Sequence, residues 1–234
     1  MDDMIVPRLV QPGEAAPDFE LPMVASDATV TLDHYRSKTP LLLVLLRSFE
    51  CPFCRRQLAA LKRTADELRG LGIESLAVTT TAVKAARLYA KYRPPGVPLA
   101  SDAKLGIHRA FGVPIYRMSA DEPTRWPDVI NVEDLMRLRL KPTDECPDGQ
   151  LLMEAGKAID EADGFEIVEA DGFEIVEADE AGPPDDVSPL VSYFVIDREG
   201  IVRWLFVDAL DDPSDYGGHP SHQELLDATR ALSD

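Results

Sequence analysis

The residues of this chain best suited to chemistry are Cys51 and Cys54, which form a single CxxC motif. A thiol reacts as the thiolate, and the unsatisfied amides and positive dipole at the start of a helix lower the pKa of a cysteine placed there. Cys51 follows an apolar run and precedes a segment with helical periodicity, so we expect it at such a junction. Cys54 is expected beside it but deeper, where it suits a resolving thiol that closes an intramolecular disulfide.

Charged residues near the motif act on the same thiol. Arg47, Arg55 and Arg56 are close in sequence, and we expect their positive potential to lower the pKa of Cys51. Glu50 acts in the opposite direction.

A structural zinc site is the main alternative for a CxxC motif, and such a site needs a second pair of ligands. His219 and His222 are the spaced candidates for that pair, and Cys146 is a more distant one. A CxxC motif that starts a helix directly after a core strand is poor zinc-site geometry, so the sequence favours a redox pair over zinc or inert cysteines. We predict no metal and no cofactor.

The elements around the motif alternate between strand and helix. Residues 41–46 are all apolar, as expected for a central strand that is covered on both faces, and residues 55–69 repeat apolar side chains at helical spacing. A strand at 73–79, a helix at 82–92, a strand at 97–100 and a helix at 103–111 follow. This order predicts right-handed crossovers in an α/β sheet.

The C-terminal part predicts an antiparallel hairpin and a last helix. The hairpin strands are 191–196 and 201–207, joined by a short turn that contains Gly200. Ser221 and Glu224 have the spacing of a capping box and precede an apolar-periodic segment, which we expect to form a helix that covers the sheet.

Residues 115–188 do not follow this alternation, and we interpret them as an insertion in a single domain of residues 1–234. The octapeptide EADGFEIV occurs twice in tandem at 161–176, and residues 144–186 contain 16 acidic residues but only one basic residue, Lys157. A duplicated stretch in a surface loop explains the repeat, since lengthening a loop costs only about 0.6 kcal/mol per doubling.

Composition excludes several classes of function. The chain has 234 residues and a net charge of −18, without a basic stripe for nucleic acid. Its longest apolar run is much shorter than the roughly 18 residues that a membrane-spanning helix needs, and its acidic start is unlike a secretory signal. We therefore expect a cytoplasmic protein that binds neither nucleic acid nor membrane.

Several segments have an order and spacing that resemble the AhpC/TSA family of peroxiredoxin-like proteins. The active-site turn of that family resembles Arg47-Ser48-Phe49-Glu50-Cys51-Pro52-Phe53-Cys54. Further matching segments are PGEAAPDF at 12–19, SD at 101–102, RAFG at 109–112, FVIDREG at 194–200 and FVD at 206–208. The resemblance covers residues 11–118 and 190–233. It implies a thioredoxin-like fold: a central mixed sheet flanked by helices, in the order βαβαβα…ββα, with the acidic insertion before the C-terminal hairpin.

The same resemblance implies roles for the site residues. Cys51 would be oxidised by a hydroperoxide to a sulfenic acid, Cys54 would capture it as a disulfide, and Ser48 would hydrogen-bond the peroxide or the thiolate. A thioredoxin-like protein or a small thiol would then reduce the disulfide, and a homodimer is possible in this family.

Two positions depart from the peroxiredoxin pattern. Val44 stands where those proteins have a proline, and Val191 stands where they have an arginine that polarises the peroxide. Arg47, or an arginine of the 115–140 segment, would then have to supply that charge. Two other functions therefore stay open: thiol-disulfide exchange on protein disulfides, and a non-catalytic binding module with this fold.

Overall fold

The computed structural model describes residues 8–142, 148–163, 182–230 and 232. The strands are β1 (Glu20–Pro22), β2 (Thr29–Thr31), β3 (Leu41–Leu45), β4 (Glu74–Thr79), β5 (Leu99–Ser101), β6 (Ile115–Ser119), β7 (Val129–Asn131), β8 (Val187–Pro189), β9 (Ser192–Ile196) and β10 (Val202–Val207). The helices are α1 (Pro52–Gly70), α2 (Val83–Tyr92), α3 (Gly106–Ala110), α4 (Val132–Arg137), α5 (Leu152–Asp163) and α6 (His222–Arg230).

A mixed sheet with the order β10-β9-β3-β4-β5 forms the centre of the fold. Strand β3 pairs in parallel with β4 and antiparallel with β9, and the β9–β10 hairpin is antiparallel. Leu41, Leu43 and Leu45 belong to the core on one face of the sheet, while Leu42 and Val44 belong to the core on the other. Successive side chains of a strand point to opposite faces, so an apolar run without polar alternation marks a strand buried on both sides.

Helices cover the sheet as the sequence predicts. The buried face of α1 carries the leucines at the expected spacing, and it packs in one core with Leu225 and Leu226 of α6. At the start of α6, Ser221 N–H donates to Glu224 Oε2 at 2.7 Å, and Glu224 N–H donates to Ser221 Oγ at 3.2 Å. The predicted capping box is therefore formed.

The helix expected at 103–111 is shorter, because α3 begins only at Gly106. Leu105 has a φ of 58°, in the left-handed region, so the residues before it do not continue the helix. The Asp102 carboxylate instead accepts hydrogen bonds from the N–H groups of Gly106 and Ile107, which are donors without partners inside the helix.

Regular structure is present within residues 115–188. Strands β7, β6 and β8 form a second sheet, and α4 and α5 lie between β7 and β8 along the chain. The first three residues of the tandem repeat, 161–163, end helix α5. The rest of the repeat and Cys146 lie outside the described residues, so the interpretation of 115–188 as an insertion stays a prediction.

The described helices include none with the length and apolar character that crossing a bilayer requires.

Candidate redox site

Cys51 lies where the loop after β3 meets α1. It is the N-cap residue of the helix, with extended backbone angles of φ −75° and ψ 112°, and its N–H donates to the Ser48 carbonyl at 3.1 Å. Pro52 occupies the first turn, where its fixed φ suits a helix start and its missing N–H removes no helical hydrogen bond. Cys51 is partly exposed, whereas Cys54 is buried.

The two thiols have opposite pKa shifts. A hydrogen bond from the Cys54 thiol lowers the pKa of Cys51 to about 6; the partial burial of Cys51 opposes this shift and the Arg47 charge adds to it. Burial, together with the neighbouring Cys51, raises the pKa of Cys54 well above its usual value. At neutral pH the reduced pair therefore holds an accessible thiolate at Cys51 and a buried protonated thiol at Cys54.

Two threonines at the end of β4 and just beyond it hold the loop that leads to Cys51. Thr79 Oγ1 donates to the Arg47 carbonyl at 2.9 Å, and the Phe49 N–H donates to Thr81 Oγ1 at 2.8 Å. Because β3 and β4 are parallel, their carboxyl ends meet at the same edge of the sheet, and this brings the threonines to the loop.

Arg47 places a fixed positive charge against the cysteine pair. Its side chain is only 2% exposed, and Nη1 lies 4.0 Å from Cys54 Sγ. Nη2 donates to Asp208 Oδ2 at 2.6 Å, Nε donates to the Pro189 carbonyl at 3.1 Å, and Cζ lies 3.8 Å from the centre of the Tyr216 ring.

Asp208 is the counter-ion of Arg47. Besides Arg47, it accepts hydrogen bonds from the N–H groups of Val191 at 2.7 Å and Gly217 at 3.2 Å. Burial raises the pKa of Asp208, and Arg47 with these two amides opposes that shift. The Asp208 carboxyl accepts three hydrogen bonds, and one of them comes from the Arg47 guanidinium. Asp208 and Arg47 therefore form an ion pair at neutral pH.

Arg55 and Arg56 do not supply the charge that the sequence led us to expect from them at the thiols. Arg55 Nη1 donates to the Phe49 carbonyl at 2.5 Å, and its Nη2 pairs with Asp160 of α5. Arg56 is half exposed, and its Nη2 lies 3.9 Å from Asp163 Oδ1. Acidic side chains on α5 thus compensate both arginines, and Arg47 is the arginine whose charge lowers the pKa of Cys51.

Ser48 enters the site through its backbone. Its carbonyl accepts the Cys51 N–H, while its hydroxyl makes no hydrogen bond to any residue that the structure describes. A role of this hydroxyl toward a peroxide stays a prediction.

Arginines of the 115–140 segment have other partners. Arg117 and Arg125 pair with Glu122, Arg137 pairs with Glu133, and Arg139 Nη1 donates to the Gly149 carbonyl at 3.0 Å. Among the candidates raised from sequence, Arg47 is therefore the cation that the fold brings to the cysteines.

Aromatic residues that sequence reasoning did not assign to the site form a connected group behind Arg47, and Tyr216 is the member that covers the guanidinium. The hydroxyl groups of Tyr116 and Tyr216 are 3.0 Å apart, and the Trp126 ring centre lies 5.3 Å from that of Tyr116. Trp126 Nε1 donates to the Ala209 carbonyl at 2.6 Å. Tyr116 and Trp126 come from the region of β6 and β7, so residues of the 115–188 segment pack against Tyr216, the ring that covers Arg47.

A signal for Asp208 does exist in the sequence. It directly follows β10, and Arg47 lies two residues beyond β3. Both strands are antiparallel to β9, so they run in the same direction and end at the same edge of the sheet. A buried carboxylate and a buried guanidinium that follow two such strands are expected to pair. This pairing can be predicted only once the order of the strands in the sheet is known.

Helix α5 covers the first turn of α1. A Cβ atom added to Gly156 would lie 3.3 Å from Pro52 Cγ and 3.9 Å from Phe53 Cε2, so the helix backbone approaches the CxxC segment closely. The Arg55–Asp160 ion pair joins the same two helices.

The zinc alternative has no support among the described residues, which contain no group of three His, Cys, Asp or Glu side chains that could hold a metal ion. His222 instead joins α6 to α1, with Nδ1 2.9 Å from Thr64 Oγ1 and Nε2 3.1 Å from Glu67 Oε2.

Comparisons with known proteins agree with this fold. The model of the AhpC/TSA family matches residues 12–139, more than half of the chain. No curated protein matches this chain. Among solved structures, the peroxidoxin BcpB from Mycobacterium tuberculosis is 16% identical with a TM-score of 0.54, and the match covers 95% of this chain and 98% of that chain.

Two further solved structures are similar. The reduced 2-Cys peroxiredoxin of Plasmodium vivax is 17% identical with a TM-score of 0.55, over 96% of this chain and 82% of that chain. A putative protein disulfide isomerase from Bacteroides thetaiotaomicron is 14% identical with a TM-score of 0.50, over 99% and 96%. At these identities the likeness shows a shared thioredoxin-like fold and no more.

Proposed function

The chain belongs to the AhpC/TSA family, and we propose that it is a thiol-dependent oxidoreductase that reduces hydroperoxides through Cys51 and Cys54. The observation that carries the proposal is the asymmetry of the two thiols. Cys51 is partly exposed and its pKa is lowered to about 6, while the buried Cys54 next to it stays protonated.

The reaction begins with the Cys51 thiolate as nucleophile. It attacks the terminal oxygen of a hydroperoxide, so that an S–O bond forms as the O–O bond breaks; the alkoxide takes up a proton and leaves as an alcohol. Cys51 is then a sulfenic acid. The Cys54 sulfur attacks it, an S–S bond forms, and the hydroxyl leaves with the Cys54 proton as water. An external dithiol returns both cysteines to the reduced state and is itself oxidised to a disulfide.

Arg47 is suited to replace the arginine that the peroxiredoxin pattern would place at residue 191. Val191 is fully buried there, and its N–H and carbonyl are both bonded to Asp208. Asp208 in turn holds Arg47, whose Nη1 reaches toward the cysteines. A positive charge beside the attacking sulfur stabilises the thiolate and, during attack, the charge that develops on the leaving oxygen.

Thiol-disulfide exchange is a second candidate function. The arrangement of an accessible thiolate and a buried neighbouring thiol equally suits attack of Cys51 on a protein disulfide and release by Cys54. The valines at positions 44 and 191, which depart from the peroxiredoxin pattern, favour this candidate.

Rapid mixing of the reduced protein with hydroperoxide tests the proposal. We expect micromolar hydrogen peroxide or an alkyl hydroperoxide to oxidise Cys51 much faster than it oxidises free cysteine. Mass spectrometry should then find a disulfide between residues 51 and 54 in the parent, and a sulfenic acid at residue 51, trapped by a dione reagent, in Cys54→Ser.

Cys51→Ser is the matched control, because it keeps the size of the side chain and removes the nucleophile. Oxidation of Cys51 no faster than that of free cysteine would reject the peroxidase. If the same preparation reduces a protein disulfide rapidly, the exchange function takes its place. If neither reaction is faster than for a small thiol, the binding module remains.

A further inference from the structure

Asp208 is a buried acid that the proposed reaction does not itself consume. Its side chain is 0% exposed, and withdrawing a carboxylate from water costs several kcal/mol unless it is paired and hydrogen-bonded. Its three donors meet this requirement: the Arg47 guanidinium and the N–H groups of Val191 and Gly217. Two of these are backbone N–H groups, one to each carboxylate oxygen, so Asp208 itself has a fixed position.

Arg47, in contrast, has a long side chain that gains its position from its contacts. An arginine side chain has about 2 kcal/mol of rotamer entropy to lose when it is fixed. Asp208 holds Nη2, the Pro189 carbonyl holds Nε, and the Tyr216 ring covers the guanidinium plane. With these contacts made, Nη1 is left to point at Cys54 Sγ, 4.0 Å away.

We propose that Asp208 is a positioning residue, which holds the Arg47 guanidinium in the orientation that directs its charge to the Cys51–Cys54 pair. The inference rests on the proposed redox function of this pair. It concerns a residue that never touches the substrate and acts only through Arg47.

The direction in which Asp208→Asn shifts the Cys51 pKa separates this role from a direct effect of the Asp208 charge. A negative charge near a thiolate disfavours the thiolate, so removing it by Asp208→Asn would by itself lower the Cys51 pKa. If Asp208 positions Arg47, the same substitution loosens the guanidinium and raises the Cys51 pKa. An asparagine cannot accept from Val191 on one side and from Arg47 on the other, because one of its two terminal atoms is a donor.

Other ionisable groups around the pair do not obscure this readout. The pKa values of Tyr193 and Tyr216 are raised, mainly by burial, so neither phenol ionises between pH 4 and 9. Among the described residues, further ionisable and charged side chains near the site include Glu50, Arg55, Arg56, Tyr116, Asp160 and Asp163, together with His108, whose Nε2 lies 3.3 Å from the Leu46 carbonyl, and Asp102, which is hydrogen-bonded to His108 Nδ1. All of them are unchanged in the variants to be compared.

The test is the pH dependence of iodoacetamide alkylation at residue 51, measured on the full reduced chain by peptide mass spectrometry. An opposite charge within about 4–6 Å shifts a pKa by about 1–3 units, so we expect Asp208→Asn to raise the midpoint by about one unit. Alkylation at pH 5 would then be about tenfold slower than in the parent. An unchanged or lowered midpoint would overturn the inference.

Asp197→Asn is the matched control. Asp197 is also nearly buried, follows β9 of the same hairpin, and pairs with an arginine, with Oδ2 2.5 Å from Arg203 Nε. It lies at the opposite end of the strands, so its substitution should cost stability without moving the midpoint of Cys51. A midpoint that moves equally in both variants would show a general loss of structure and would also count against the inference.

A second variant keeps the test decisive if Asp208→Asn does not fold. Asp208→Glu keeps the negative charge but displaces the carboxylate from Arg47, and it should raise the midpoint in the same direction. No rise in that variant would overturn the inference. The readout is the ionisation of Cys51 and not turnover. A raised midpoint in a protein that fails to reduce peroxide would therefore support the positioning role of Asp208 and reject only the proposed function.

Discussion

Replacing Cys54 by alanine should raise the pKa of Cys51, because the hydrogen bond from the Cys54 thiol is the largest cause that lowers it. A hydrogen bond to a charged group contributes about 1.5–3 kcal/mol, and one pKa unit corresponds to about 1.4 kcal/mol. Loss of this bond should therefore move the Cys51 pKa upward by about one to two units from its value of about 6. At pH 7 the thiolate fraction would fall from about nine-tenths to between about one-half and one-tenth.

Cys54→Ser is the matched variant, because the hydroxyl keeps a donor at the same position. We expect its Cys51 pKa to lie between those of the parent and Cys54→Ala. The assay is alkylation of residue 51 by iodoacetamide from pH 4 to 9, resolved by peptide mass spectrometry so that Cys146 does not contribute.

Coincident titration curves for the parent and both variants would refute this reasoning. They would show that the neighbouring thiol does not stabilise the Cys51 thiolate and that the Arg47 charge and the helix start account for the whole shift. Thermal unfolding of each variant checks that the buried position tolerates the substitution.

Three further predictions concern stability. The folded-state pKa of Cys51, about 6, lies below that of an unfolded thiol, so the reduced protein should gain unfolding free energy from pH 6 to pH 8, by at most about 1.4 kcal/mol per pH unit. Urea titrations should show this gain weakened in Cys51→Ser; an equal slope would contradict it. Ser221→Ala should cost about 1 kcal/mol through loss of the α6 cap, measured by urea denaturation. Gly217→Ala should cost about 1–3 kcal/mol more than Gly72→Ala, since both have positive φ but only at 217 would the new Cβ meet a ring, 2.6 Å from Phe53 Cδ1; equal losses in denaturation would exclude the clash.

Much of the fold could be predicted because its signals are local. The run at 41–46 predicted a strand buried on both faces, the spacing within 55–69 predicted the buried face of α1, and Ser221 with Glu224 predicted the cap of α6. Each signal depends on residues within a few positions of one another, whose burial and hydrogen bonds are set by the periodicity of a strand or a helix.

Charges at the site were less predictable, because they act through space. Nearness in sequence suggested that Arg47, Arg55 and Arg56 act together on Cys51, but Asp160 of α5 pairs with Arg55 and Asp163 lies close to Arg56. Those acids belong to a segment whose position relative to α1 no local pattern reveals.

Local patterns along the chain are enough to place a CxxC pair after a buried strand and at the start of a helix, and hence to identify the accessible sulfur. The charges that surround the pair, in contrast, depend on how the strands are arranged in space. Arg47 and Asp208 are 161 residues apart and meet because β3 and β10 run in the same direction on either side of β9. Pairing energy between buried charges depends on distance and desolvation, and both are set by the order of strands in the sheet rather than by order along the chain.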